Sequence, residues 1–257
     1  MRIGFGVSAN DIPEYHDQLF QLPLIELEDF LFPDFADESQ DRLPVIQAHL
    51  AGYQGEFLLS GPYIDLNPGT PDRLVQGVVR QRFAQAQAFA NVIDAREIVF
   101  LSTFLPIIRL PMYDADWVAR SVDFWGAFME TVNPGLVISL GNTFETHPDY
   151  LVQLVEGVGR QNFKLAFDLG HFLVYAEIDL PAWLARIAPA CSTVYVHSND
   201  GKVDTHAEPF QGVLRPNQIA LLKRYLPEKT RLIVKSFNKA SIPECVEWVE
   251  QALKTRE

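Results

Sequence analysis

Cysteine is nearly missing from this chain: only Cys191 and Cys245 occur, far apart and in no CxxC pair. That excludes a disulfide framework and a thiolate zinc site, and leaves both thiols as small core residues. Runs of eighteen apolar residues are also missing, so no segment is expected to span a membrane. The first residues, Met1-Arg-Ile-Gly-Phe-Gly-Val, enter a strand-like segment without a long apolar stretch, and a cytoplasmic location is the expectation. Basic residues are outnumbered 33 to 21 by acidic ones, for a formal net charge of −12, with no Lys/Arg cluster to offset it. Such a surface repels phosphate backbones at long range, so nucleic acid is not the expected partner. No Gly-rich phosphate loop follows the first strand: Gly4 and Gly6 lie inside it and the turn reads Ser8-Ala-Asn-Asp, so no nucleotide cofactor is expected.

What is present is a large apolar inventory. Hydrophobic residues make up 48% of 257 and charged residues 21%, enough for one extensive core over residues 1–257. Short continuous apolar runs alternate with longer amphipathic stretches. The runs are Ile3–Val7, Leu24–Leu27, Phe57–Leu59, Ile98–Leu101, Leu136–Leu140, Lys164–Phe167, Val194–His197 and Leu232–Lys235. Continuous rather than alternating apolarity is the mark of parallel strands covered on both faces. Helical patterns lie between them: Pro71–Val92, Asp114–Val132, Pro148–Val158, Pro181–Ile187, Pro216–Tyr225 and Ile242–Leu253. The first has Pro71 at its first turn and Val75, Val78, Val79, Phe83, Ala86 and Phe89 on one side. Repeated β-then-α units of this number and length predict an α/β fold, a closed (β/α)8 TIM barrel, over a doubly wound open sheet.

In such a barrel, residues at C-terminal strand ends meet on one rim. Three pieces there carry metal-ligand chemistry: Asp168-Leu-Gly-His171 after the sixth run, His197 ending the seventh, and Asp204-Thr-His206 in the following loop. Carboxylates and imidazoles are the donors that zinc, manganese and iron accept. His16, His49 and His147 fall in helical contexts away from strand ends and read as ordinary polar residues. Phe104, Trp117, Trp125 and Phe172 read as packing.

These motifs resemble the xylose isomerase-like TIM barrels, a superfamily of sugar isomerases, sugar-phosphate epimerases and endonuclease IV. The matching segments run through most of the chain: Ile25-Glu-Leu-Glu28, Ser60 to Asp72, Ser139-Leu-Gly-Asn142 with Phe144-Glu145, Asp168 to His171, and Val196 to Gly201 with Asp204-Thr-His206. The resemblance implies one metal on His171, Asp204 and His206, all present. A second metal would use Asp168, His197 and glutamates ending strands five and eight, where this chain has Gly141 and Lys235. A third would use histidines after strands three and four, where it has Ser60 and Ser102.

The expectation is therefore a divergent sugar or sugar-phosphate isomerase or epimerase acting at the barrel rim on a small carbohydrate, with a degenerate active site and at most one divalent metal, zinc or manganese. The two-glutamate proton transfer of the family is expected to be lost. His171, Asp204 and His206 either bind that metal or hydrogen-bond one another. Lys235 is expected to neutralise Asp168, beside His197, in the place of the second metal; a Schiff-base lysine and a solvated strand-end residue are the alternatives. Only one of Glu26 and Glu28 is expected inside the barrel, with Glu26 the better substrate contact. Ser60 and Asn142 are further candidates for substrate contact, and Glu145 reads as a surface charge. A non-catalytic ligand-binding barrel is the second reading, and an endonuclease IV-like phosphodiesterase the third.

Overall fold

The short apolar runs become strands because both of their faces are covered, one by the barrel interior and one by helices. In the computed structural model, which describes residues 1–255, the strands are β1 (Arg2–Val7), β2 (Leu24–Leu27), β3 (Glu56–Ser60), β4 (Glu97–Leu101), β5 (Val137–Gly141), β6 (Phe163–Asp168), β7 (Cys191–Val196) and β8 (Arg231–Val234). They pair in chain order as a closed barrel, with β8 returning to β1 through the register Arg2↔Arg231 to Phe5↔Val234. All pairs are parallel, as the alternation of strand and helix patterns requires. The expected TIM barrel is the observed fold.

The helices are α1 (His16–Leu19), α2 (Pro33–Leu50), α3 (Arg73–Val92), α4 (Tyr113–Met129), α5 (Asp149–Val158), α6 (Leu169–Tyr175), α7 (Leu180–Ile187), α8 (Pro216–Tyr225) and α9 (Ile242–Ala252). Three of them, α1, α2 and α6, are not among the helices that the sequence pattern predicts. In α2 the pattern is broken by an internal Pro44, yet Phe35, Ile46 and Leu50 still reach the core. The α6 helix begins directly on β6, with Asp168 accepting a hydrogen bond from His171 N at 2.8 Å as its N-cap. In α3 the cap is Asp72, which accepts from Leu74 N at 2.8 Å, so Pro71 lies outside the helix. Its buried stripe is Val79, Phe83, Ala86, Phe89 and Ala90; Val75 and Val78, expected on the same side, are solvent-exposed. Val78 sits one residue, or about 100°, from Val79 on the helix, and Val75 lies on the first turn.

Two apolar cores result. The larger lies between strands and helices, where Phe83 meets Phe100 at 4.2 Å in a tilted contact and Trp125 meets Phe163 at 5.3 Å. Trp117, Phe104 and Phe172 pack there too, as do Cys191 and Cys245, both buried and unbridged. The smaller core fills the barrel itself with Leu24, Leu58, Val99, Ala166, Tyr195 and Ile233. Among the described residues no helix is long and apolar enough to cross a membrane.

Below the inner core the barrel is closed by polar groups. Buried Glu97 accepts from Ser139 Oγ at 2.5 Å, Ser192 Oγ at 2.7 Å, Thr193 Oγ1 at 2.8 Å and Arg231 Nη1 at 3.0 Å. Arg231 also reaches Glu56, which pairs with Arg2. Removing one partner of a buried ion pair leaves the other charge uncompensated. Arg231→Ala is therefore expected to lower the unfolding free energy by about 3 kcal/mol, read as a reduced denaturant midpoint. A loss below about 0.5 kcal/mol, the size of ordinary surface effects, would show that the hydroxyls alone satisfy Glu97.

Candidate metal centre and rim cavity

Above the inner core, the strand ends carry two separate charge clusters. The first is built by β6 and the loop after β7. Asp168 Oδ1 accepts from His197 Nε2 at 2.9 Å, and Asp168 Oδ2 lies 3.5 Å from His171 Nδ1. His171 Nε2 and His206 Nε2 both face the same oxygen, Asp204 Oδ2, at 3.1 and 3.2 Å. The imidazole of His197 lies flat beneath that of His206, with centroids 3.9 Å apart and planes at 3°. Gly170 makes room for this stack, since a Cβ there would overlap the His197 ring.

The backbone sets the direction of both outer imidazoles. His171 Nδ1 donates to the Asn142 carbonyl at 2.9 Å, and His206 Nδ1 donates to the Lys235 carbonyl at 2.9 Å. Each ring is thereby committed to the tautomer whose Nε2 is free to ligate, the usual outer support of metal-bound histidine. His206 holds a left-handed φ of +47°, a conformation that costs a non-glycine residue about 1 kcal/mol or more. The bridge between Ser198 and Ala207 anchors its loop. The donor atoms of His171, Asp204 and His206 lie within 4.8 Å of one another. The second oxygen, Asp204 Oδ1, and His197 Nδ1 are buried 3.4 Å apart without a hydrogen bond between them. Two imidazoles and one carboxylate with further positions open suit a divalent ion such as zinc; these residues fit one metal.

Without an ion the charges of the cluster pair internally, and a metal would have to displace the His171 proton. Burial pushes the Asp168 and Asp204 carboxyls up, but the surrounding imidazoles outweigh it and hold both well below the usual carboxylate range. Burial disfavours charge on His171, yet Asp168 and Asp204 raise it to about 9. His197, fully buried, is pushed down by desolvation and stays neutral.

The second cluster corrects the expected Lys235–Asp168 pair. Lys235 Nζ donates to Glu26 Oε2 at 2.7 Å and Ser60 Oγ at 2.9 Å, lies 2.7 Å from Glu28 Oε1, and sits 4.5 Å from the Tyr195 ring centre. It crosses over β1 to reach β2, and Gly6 provides the passage: a Cβ at Gly6 would overlap Glu28 Oε1 and lie 3.0 Å from Lys235 Cδ. Asp168 meanwhile is satisfied by His197 on the adjacent strand. Burial works against the Lys235 ammonium, but Glu26 and Glu28 outweigh it and raise its pKa; the side chain is buried and is not a solvated strand-end residue. Glu26 and Glu28 both face inward, against expectation, because residues two apart on a strand share a side.

The cavity at this rim has a volume of about 280 Å³ and is lined by Ser60, Asp168, His171, Asp204, His206 and Lys235 among the expected residues, with Glu28, Tyr63, Tyr195 and Lys239. Two expected contacts are corrected. Glu26 lies beneath it, fully buried and bonded to Lys235 and the Tyr195 hydroxyl. Asn142 spends its side chain on the Asp168 backbone, donating to the carbonyl at 2.9 Å and accepting from the amide at 2.8 Å. His197 is shielded behind His206. Glu145 is not on the surface: it is buried against Ser102 Oγ and accepts from Thr143 N at 2.6 Å, with burial raising its pKa. Nothing in its local sequence signals that return. His16, His49 and His147 take no part in the cluster.

A family model described as the xylose isomerase-like TIM barrel matches residues 20–249. Among solved structures, the TTHB071 protein from Thermus thermophilus, soaked with ZnCl2, superposes with a TM-score of 0.77 at 22% identity over 100% of both chains. A D-tagatose 3-epimerase-like protein gives a TM-score of 0.78 at 16% identity, over 99% of this chain and 97% of that one. D-psicose 3-epimerase, solved in the presence of D-fructose, gives 0.75 at 16% identity over the same shares of 99% and 97%. No curated protein matches the chain.

Glu28 offers a pH test of the second cluster. Burial raises its pKa, but Lys235 and Lys239 outweigh that and hold it at about 2, below the ordinary 4.5. A depressed carboxyl contributes stability that is complete above the unfolded pKa and drains away as the pH falls through the folded one. Unfolding free energy measured from pH 6 to 2 should therefore fall less steeply between about 4.5 and 2 in Glu28→Gln than in the wild type. Parallel curves would show that Glu28 is not held in the pair.

Proposed function

Because the chain belongs to the xylose isomerase-like TIM barrel family, we propose that it is a divergent isomerase- or epimerase-like enzyme acting on a small carbohydrate in the rim cavity, with one divalent metal, zinc or manganese. The observation that carries this reading is the pair of imidazoles, each fixed through Nδ1 by a backbone carbonyl so that both Nε2 atoms face Asp204 in the cavity. The similarity to sugar epimerases supports the substrate class. A divalent ion at this triad would polarise a sugar carbonyl and its neighbouring hydroxyl.

The chain's own groups then have limited roles. Asp168 orients His171 through its amide and His197 through Nε2. Lys235, Glu26 and Glu28 form a closed ion cluster that shapes the cavity floor rather than exchanging protons. Glu28 lines the cavity, but at about 2 its carboxylate is too weak a base for efficient proton abstraction near neutral pH. Gly141 contributes no carboxyl in the place of the family glutamate. That same observation favours a second reading, a barrel that binds a carbohydrate without turning it over.

Calorimetry with zinc and deuterium exchange separate the readings. The wild type is expected to bind one zinc, and His206→Ala to bind it more than about 100-fold more weakly. Ketohexoses incubated with the zinc-loaded protein in D2O, followed by NMR, separate turnover from binding: deuterium gained beside the carbonyl would establish an enzyme whose base lies outside the Lys235 cluster. Zinc binding and sugar binding without exchange would establish the binding barrel. No zinc binding, or equal binding by His206→Ala, would sink the metal reading.

A further inference from the structure

The rim cavity is polar on one side only. Beside the triad part of its wall is apolar, and three of the residues that form it are large and uncovered: Phe32 is 61% exposed, Ile64 44% and Phe237 74%. Scattered exposed apolar side chains need no explanation, but these three belong to three different rim loops and line one cavity, continuous with the candidate metal centre. Phe237 stacks on His206 itself, with ring centres 4.8 Å apart and planes at 22°. A ligand held at the triad therefore extends past Phe237 into apolar surroundings.

The lysines on the charged side of the cavity are already engaged: Lys235 with Glu26, Glu28 and Ser60, and Lys239 with the Gly6 carbonyl at 2.7 Å, the Ser236 carbonyl at 2.9 Å and Glu28 at 3.2 Å. The carboxylates of Glu28, Asp168 and Asp204 face the same space. Away from the metal triad, a phosphate would meet the Glu28 carboxylate and no free ammonium donor among the described lining residues.

We infer that the rim cavity takes an uncharged carbohydrate carrying an apolar substituent, the sugar facing His171, Asp204 and His206 and the substituent covered by Phe32, Ile64 and Phe237, with alkyl glycosides as the probes of that apolar wall. This rests on the carbohydrate reading above and narrows it, setting aside sugar phosphates.

The test is calorimetry on the zinc-loaded full chain with methyl, ethyl, butyl and hexyl β-D-glucopyranosides, glucose and glucose 6-phosphate. Each added methylene should tighten binding about fourfold until the apolar wall is covered. In Phe32→Ala/Phe237→Ala that dependence should flatten. A flat series in the wild type, an unchanged slope in the double variant, or glucose 6-phosphate binding more tightly than glucose would each overturn the inference. Chelation tests the underlying reading on its own. Removing zinc should weaken the whole series equally; a chain-length slope whose affinities ignore zinc would mean that the apolar site exists and the metal-centred reading of the function is wrong.

Discussion

A lysine ammonium taken into the mouth of a barrel must be met by carboxylates, because the desolvation of an unpaired buried charge costs several kcal/mol or more. Lys235 meets this condition by reaching across β1 to Glu26 and Glu28, which is feasible only because Gly6 lacks a side chain. The rest of the rim follows from that choice. The inward-facing carboxylates of Glu26 on β2 and Glu28 just beyond it are both occupied, Ser60 is drawn in as a third acceptor, and Asp168 is left to the histidines. A fixed protein cation and its counter-charges thus fill one half of the rim.

The other half is organised around Asp204. Its oxygen is shared by two imidazoles whose orientation is imposed by the backbone rather than by neighbouring side chains. Asn142 takes part in two ways: its carbonyl receives His171 Nδ1, and its side chain brackets the Asp168 backbone. Glu145 in turn secures the turn after Asn142 through Thr143 and Ser102. The geometry of the proposed metal triad is therefore distributed over β5, β6 and the loops after β7 and β8. His206 carries the left-handed backbone that closes the arrangement.

Much of the fold is legible in the sequence because strands covered on both faces leave a plain signature. Continuous apolar runs such as Ile98–Leu101 can hardly be anything else in an alternating chain. Helix α2 is hidden by Pro44, and α6 by its start on the very residue that ends β6, where Gly170 interrupts the helical pattern. At the rim, the triad is legible because Asp204-Thr-His206 and His171 carry ligand chemistry in their sequence. The partner of Lys235 is not. Its sign can be read, but its direction depends on the absence of a side chain at Gly6, at the opposite end of the sequence. Glu145 escapes for a similar reason: a carboxylate in the loop beyond a strand is ordinarily solvated, and only the tertiary contact with Ser102 brings it back. Asn142 belongs to the rim as its sequence position suggests, yet the bonds it makes to Asp168 are long-range and leave no local trace.

The central claim is that one half of the rim holds a metal and the other a lysine. Anomalous diffraction at the zinc edge, from crystals of the zinc-loaded protein, tests it most directly. The expected result is a single peak bonded to the Nε2 atoms of His171 and His206 and to Asp204, with Lys235 still seated between Glu26 and Glu28. A peak between Asp168 and His197, or a Lys235 displaced by a second ion, would contradict it.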